Sequence, residues 1–96
     1  MTDQELADEL VAAGCGLKVH SRYAPPNTHP IFEASGFVRD PRVSNAATLK
    51  VDALTVEKLS DGRWQAQALL NTLPTEWMED ESLPKAICAA CMAAWA

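Results

Sequence analysis

Basic residues are scarce in this 96-residue chain: eight lysines and arginines face thirteen aspartates and glutamates, for a formal net charge of −5. The eight are Lys18, Arg22, Arg39, Arg42, Lys50, Lys58, Arg63 and Lys85, scattered along the sequence. A phosphate backbone is held by clustered Lys and Arg that displace counterions. No such stripe exists here, so direct binding of DNA or RNA is not expected. Glycine is equally sparse, four in all, which leaves no material for a Gly-rich phosphate loop, and no nucleophile elbow or paired-carboxylate constellation is present. The opening Met1-Thr2-Asp3-Gln4-Glu5 is acidic where a secretory leader needs a basic and then an apolar region. Three cysteines, an odd number, therefore read as reduced thiols in a cytoplasmic protein, not as a disulfide framework. The charge-free tail from Ala86 to Ala96 falls well short of the ~20 residues needed to cross a bilayer, so no membrane association is expected.

What remains is a globular composition, 48% hydrophobic and 22% charged, far from the corner where disorder lives. Area scaling gives burial of about 64% of the unfolded surface, enough for one core without disulfides. A single domain over 1–96 is expected.

Thr2-Asp3-Gln4-Glu5 fits a capping box, and Leu6, Leu10 and Val11 follow at helical spacing until Gly14 closes the helix; the spacing predicts a helix over 3–13. Leu17 to Tyr23 alternates weakly as a strand, Pro25-Pro26-Asn27 turns, and Ile31-Phe32-Glu33 offers a second short strand. Asp40-Pro41 supplies an N-cap and an N1 proline for a helix over 41–52. Two apolar runs, 53–59 and 63–70, flank Ser60-Asp61-Gly62. A two-residue Asp-Gly turn would scramble their faces. A three-residue loop with Gly62 left-handed instead pairs Val56 with Ala66 and Leu54 with Ala68, putting Glu57, Gln65 and Gln67 on the opposite face. Thr75-Glu76-Trp77-Met78 is read as a third strand, and Ser82 caps a last helix that is apolar on every side. The fold class is therefore α+β: a three-stranded antiparallel sheet packed against helices, in the order α, short β hairpin, α, β, β, β, α.

Cys88 and Cys91 have a C-x-x-C spacing, but mid-helix, away from the dipole end that lowers a thiol pKa, and no second half of a zinc site is apparent even if Cys15, His20 and His29 are drafted. Buried structural thiols are the expectation, and a histidine beside proline is read as solvated. No catalytic residue, metal ligand or cofactor is assigned.

The informative segment is Glu76-Trp77-Met78-Glu79-Asp80-Glu81, an aromatic and a thioether among four acids. It reads either as a strand end whose charges favour the next helix N-terminus or as a partner-binding epitope suited to a basic groove on another protein. On the last helix, Leu83, Ile87, Ala90, Cys91 and Ala94 are expected to face the sheet. Cys88, Met92 and Trp95 are then left over for self-association as a two-fold homodimer, unless the 17–33 segment covers them.

Phe37-Val38-Arg39-Asp40-Pro41-Arg42-Val43, the hairpin with Trp64, and Glu81-Ser82-Leu83-Pro84-Lys85-Ala86-Ile87-Cys88 together make the last ~60 residues resemble small phage and prophage proteins of the phage ABA sandwich type. The resemblance implies a sheet packed between helices and a phage or prophage origin, and it brings no catalytic residues. The order of elements also invites comparison with double-stranded RNA-binding domains, which fails on charge: Glu79, Asp80 and Glu81 stand where such domains place lysines. The leading functional expectation is a non-enzymatic interaction module, an accessory or inhibitory factor acting on a host protein, for example anti-CRISPR-like. A virion structural or assembly protein and a small Cys/His metal protein are the alternatives.

Overall fold

The computed structural model describes residues 1–15 and 34–96; the short strands expected within 17–33, with His20 and His29, lie outside them. In chain order the described elements are α1 (Asp3–Ala12), α2 (Ala34–Val38), α3 (Pro41–Thr48), β1 (Ala53–Lys58), β2 (Trp64–Leu70), β3 (Leu73–Pro74), β4 (Met78–Asp80) and α4 (Leu83–Trp95). Helices packed on an antiparallel sheet make this an α+β fold.

The first helix begins where its sequence dictates. Thr2 Oγ1 accepts the Glu5 N–H at 3.2 Å while the Glu5 carboxylate accepts the Thr2 N–H at 3.3 Å, a reciprocal capping box. It ends on Gly14 at φ +85°. There Gly14 N–H donates to Val11 O and Cys15 N–H donates to Leu10 O, satisfying two carbonyls the helix leaves open and turning Cys15 into the core beside Leu10. Helix α3 starts on Asp40, whose carboxylate accepts the Arg42 N–H at 2.9 Å, with Pro41 at the first position. It stops four residues short of the expected 52. Lys50 N–H already reaches back only to Ala47 O, and Asp52 N–H donates to Leu69 O at 2.8 Å, so the sheet claims the backbone there. Helix α2 is a single short turn that buries Phe37 and Val38.

The hairpin takes the three-residue loop. Leu59 N–H donates to Arg63 O at 2.7 Å, Gly62 sits at φ +89°, and Val56 pairs with Ala66 and Leu54 with Ala68. Ala66 and Ala68 are fully buried, and on the other face Gln65 Nε2 donates to Glu57 Oε2 at 2.7 Å. Val56 departs from the expectation, being 41% exposed on the outermost strand.

The third strand is broken. Leu69 pairs with Pro74 and Ala66 with Met78, so two residues of β2, Gln67 and Ala68, oppose three of the returning chain, Thr75, Glu76 and Trp77. One extra residue in one strand is a β-bulge. Thr75 closes the gap: its N–H donates to Ala68 O at 2.9 Å, and its hydroxyl accepts the Ala68 N–H at 3.1 Å in place of a backbone carbonyl. The strand expected at 75–78 is therefore two short pieces on either side of that position.

Helix α4 is covered on two sides. Ala86 and Ala90 lie fully buried on Ala66 and Ala68 of the sheet, with Leu54, Trp64, Met78 and Ala94 around them. Cys88, about 200° round the helix from Ala86, and Cys91 are fully buried among Leu6, Leu10, Val38, Val43 and Ala47 of the helical layer. This corrects the expected faces, because the helical layer formed by α1, α2 and α3 takes the side that had been left for a partner. At the far end Trp95 Nε1–H donates to Lys50 O at 3.1 Å, tying α4 to the segment that follows α3.

Between β2 and β3 the turn residues Asn71 and Thr72 both have positive φ, 53° and 65°, the pairing of a two-residue hairpin turn that favours glycine at its second position. A β-branched residue there is strained. Thr72→Gly is expected to raise unfolding free energy by about 1 kcal/mol, read as a higher denaturant midpoint at unchanged slope; a lower midpoint would show the turn unstrained.

Candidate functional site

The acid-aromatic segment divides by role. Met78 faces α4 and packs into the core against Ala66 and Ala86, so it is not available as an anchor. Asp80 is bound inward too: its Oδ1 accepts the Ser82 N–H at 2.8 Å and its Oδ2 lies 3.3 Å from Lys85 Nζ. Both positions belong to β4, and Asp80 ends it at the turn into α4. Glu76, Glu79 and Glu81 are exposed, with Glu79 3.6 Å from Arg63. Trp77 is 38% exposed. It belongs to the bulge, and since Glu76 and Met78 both line the α4 side, Trp77 between them lies on the opposite, outer side. Glu79, opposite Gln65 on the outer face, shares the side of Trp77 at one corner of the sheet, Glu81 follows just past β4, and Glu76, Met78 and Asp80 turn toward α4.

Beneath that corner lies an ion-pair junction the sequence did not disclose. Lys85 Nζ sits 2.8 Å from Asp3 and 3.3 Å from Asp80, and Asp3 is 2.9 Å from Arg39. Arg39 also donates to Ser35 O at 2.9 Å. One cation on α4 therefore joins the start of α1 to the end of β4. Hydrogen bonds from Lys85 and Arg39 hold the Asp3 carboxyl below its ordinary value, and the bond with Asp3 raises Lys85.

Of the residues expected at a self-association face, Cys88 is sealed in the interior and drops out, while Met92 and Trp95 are half-buried. The three cysteines share one core cluster and are free thiols. Burial, with smaller contributions from the neighbouring thiols, pushes Cys88 up to about 12. Burial likewise takes Cys91 to about 11, partly offset by a hydrogen bond with Thr48. Neither is a nucleophile at neutral pH. Among the described residues no group of three or more His, Cys, Asp or Glu stands ready to hold a metal ion, and no helix is long and apolar enough to cross a membrane.

Two pH limits follow. The depressed Asp3 favours folding above its ordinary value of 3.8, and that contribution is lost as pH falls through the lower folded value. The raised thiols favour folding below their ordinary value of 9.0, and stability is lost as pH rises from there toward the folded values. Asp3→Asn should flatten the acid limb and cost about 1 kcal/mol at neutral pH, measured by denaturant titration from pH 2 to 8. The thiols should react with an aromatic disulfide reagent at pH 8 only after unfolding; immediate labelling of the native chain would contradict their burial.

Comparison of the chain with family models, with curated proteins and with solved structures gives no match, so the site stands on its own geometry.

Proposed function

We propose that this chain is a non-enzymatic protein-interaction module that binds its partner through the outer corner of the sheet. Trp77 is the anchor, and Glu79 and Glu81 supply the charge beside it. The observation that carries the reading is the bulge at 75–77: it leaves a tryptophan 38% exposed where the ladder is interrupted, on the face that also carries Glu79. Exposed tryptophans that can be desolvated by a partner are the commonest binding hot spots. The carboxylates around it favour a basic groove and speed encounter with it.

A phage or prophage origin, and an accessory or inhibitory action on a host protein in the host cytoplasm, draw on the resemblance to the phage ABA sandwich type. An anti-CRISPR-like factor that occupies a nucleic-acid groove is one form such action takes, supported by a net charge of −5.

Cross-linking in a bacterial host lysate followed by mass spectrometry tests the reading. Trp77→Ala combined with Glu79→Lys is expected to reduce the principal cross-linked partner by about tenfold or more, equivalent to about 1.4 kcal/mol. Equal recovery with wild type and variant removes the corner as a binding site.

A further inference from the structure

Three shallow hollows of about 460, 440 and 400 Å³ run along the outward side of α4. They are joined through Met92, common to the first and third, and Met78, common to the second and third. Together they form one apolar trough. Its floor is Ala89, Met92 and Ala93, half-buried residues of α4 on the side turned away from the alanine contact with the sheet, Met92 also packing against the helical layer. From Lys85 to Ala93 the helix residues lining the hollows span about 12 Å, two turns.

Acidic groups outnumber basic ones along the trough. Glu9 of α1 stands on one side, and Glu76 of the returning strand stands on the other. The cations lining the three hollows among the described residues are Lys85, which is held by Asp3 and Asp80, and the α-ammonium of Met1. Glu9 and Glu76 make no ion pair among the described residues. An occupant must therefore present apolar groups along its centre and cations along both flanks. An extended strand sends successive side chains to opposite faces and cannot flank one apolar row with charge on both sides, whereas a helix does so naturally.

We propose that this trough docks a basic amphipathic helix of another protein, its apolar stripe on Ala89, Met92 and Ala93 and its lysines or arginines against Glu9 and Glu76. The inference rests on the reading of the chain as a protein-binding module but places the contact on a different surface from Trp77, which lines none of the three hollows.

Calorimetric titration of the full chain tests it with three synthetic helices of ~18 residues: a leucine stripe flanked by lysines, the same stripe flanked by glutamates, and a scrambled leucine-lysine peptide of identical composition. The expected result is one-to-one binding of the first, with both controls about tenfold weaker or more. Glu9→Lys with Glu76→Lys should weaken binding to a similar degree, and Ala93→Arg should abolish it. Circular dichroism checks the fold, and if Ala93→Arg unfolds the chain the exposed double variant decides. Trp77→Ala should leave the affinity within about twofold. The proposal is overturned by equal binding of the scrambled or glutamate peptide, by no binding, by an unchanged affinity in the double variant, or by an about tenfold loss in Trp77→Ala. Sedimentation equilibrium showing that peptide-free chains pair through the trough would give it to a second copy and overturn the proposal as well. Failure here with Trp77-dependent cross-linking intact removes the trough alone; the reverse pattern removes the corner alone.

Discussion

Everything in the fold is arranged around a helix that cannot be allowed to face water on most of its circumference. Between Leu83 and Trp95, Lys85 is the one charged residue of α4. Such a helix needs cover on more than one side. The sheet supplies it against Ala86, Ala90 and Ala94, and α1, α2 and α3 supply it against Cys88 and Cys91. The two hydrophobic clusters of the protein are thus the two sides of one helix, with Ile87 packed against both. Remove α4 and neither the sheet nor the helical layer retains a partner for its buried face.

Lys85 is the exception that makes the arrangement specific. An apolar cylinder between two layers has little to fix its rotation or its sliding position. A single ammonium near its N-terminal end, held by Asp3 from one layer and Asp80 from the other, fixes both. Partly exposed ion pairs contribute little net stability. Their consequence here is registration: slipping α4 by one turn would carry the ammonium away from both carboxylates.

Much of this was legible from residue order. Caps at Thr2, Asp40 and Ser82, the left-handed glycines at 14 and 62, and the hairpin register all follow from chemistry local to a few residues, and they stand as read. The errors came where a distant group decided. The end of α3 is set by a bond from Asp52 to Leu69. The break in the third strand is set by a threonine hydroxyl replacing a carbonyl across from Ala68. The sides of α4 were misassigned because a helix apolar all round carries no periodic signal to say which side meets which layer. Of the acid-aromatic segment, the composition was visible but not its division; Met78 and Asp80 turn inward by strand alternation, which could be assigned only once the bulge was located.

The contact between α4 and the sheet is made of alanines, two on β2 and two on the helix, all fully buried. Nothing larger than a methyl group separates the layers at that point, so volume can be removed there but hardly added. Substitution at these four positions is one-sided: serine or glycine fits, whereas valine or leucine would pry the layers apart. That asymmetry leaves a trace in a linear sequence. A strand bearing A-x-A, followed twenty residues after its first alanine by a helix bearing A-x-x-x-A, is a spacing that distant chains of this architecture must keep even after their larger hydrophobic residues have been exchanged.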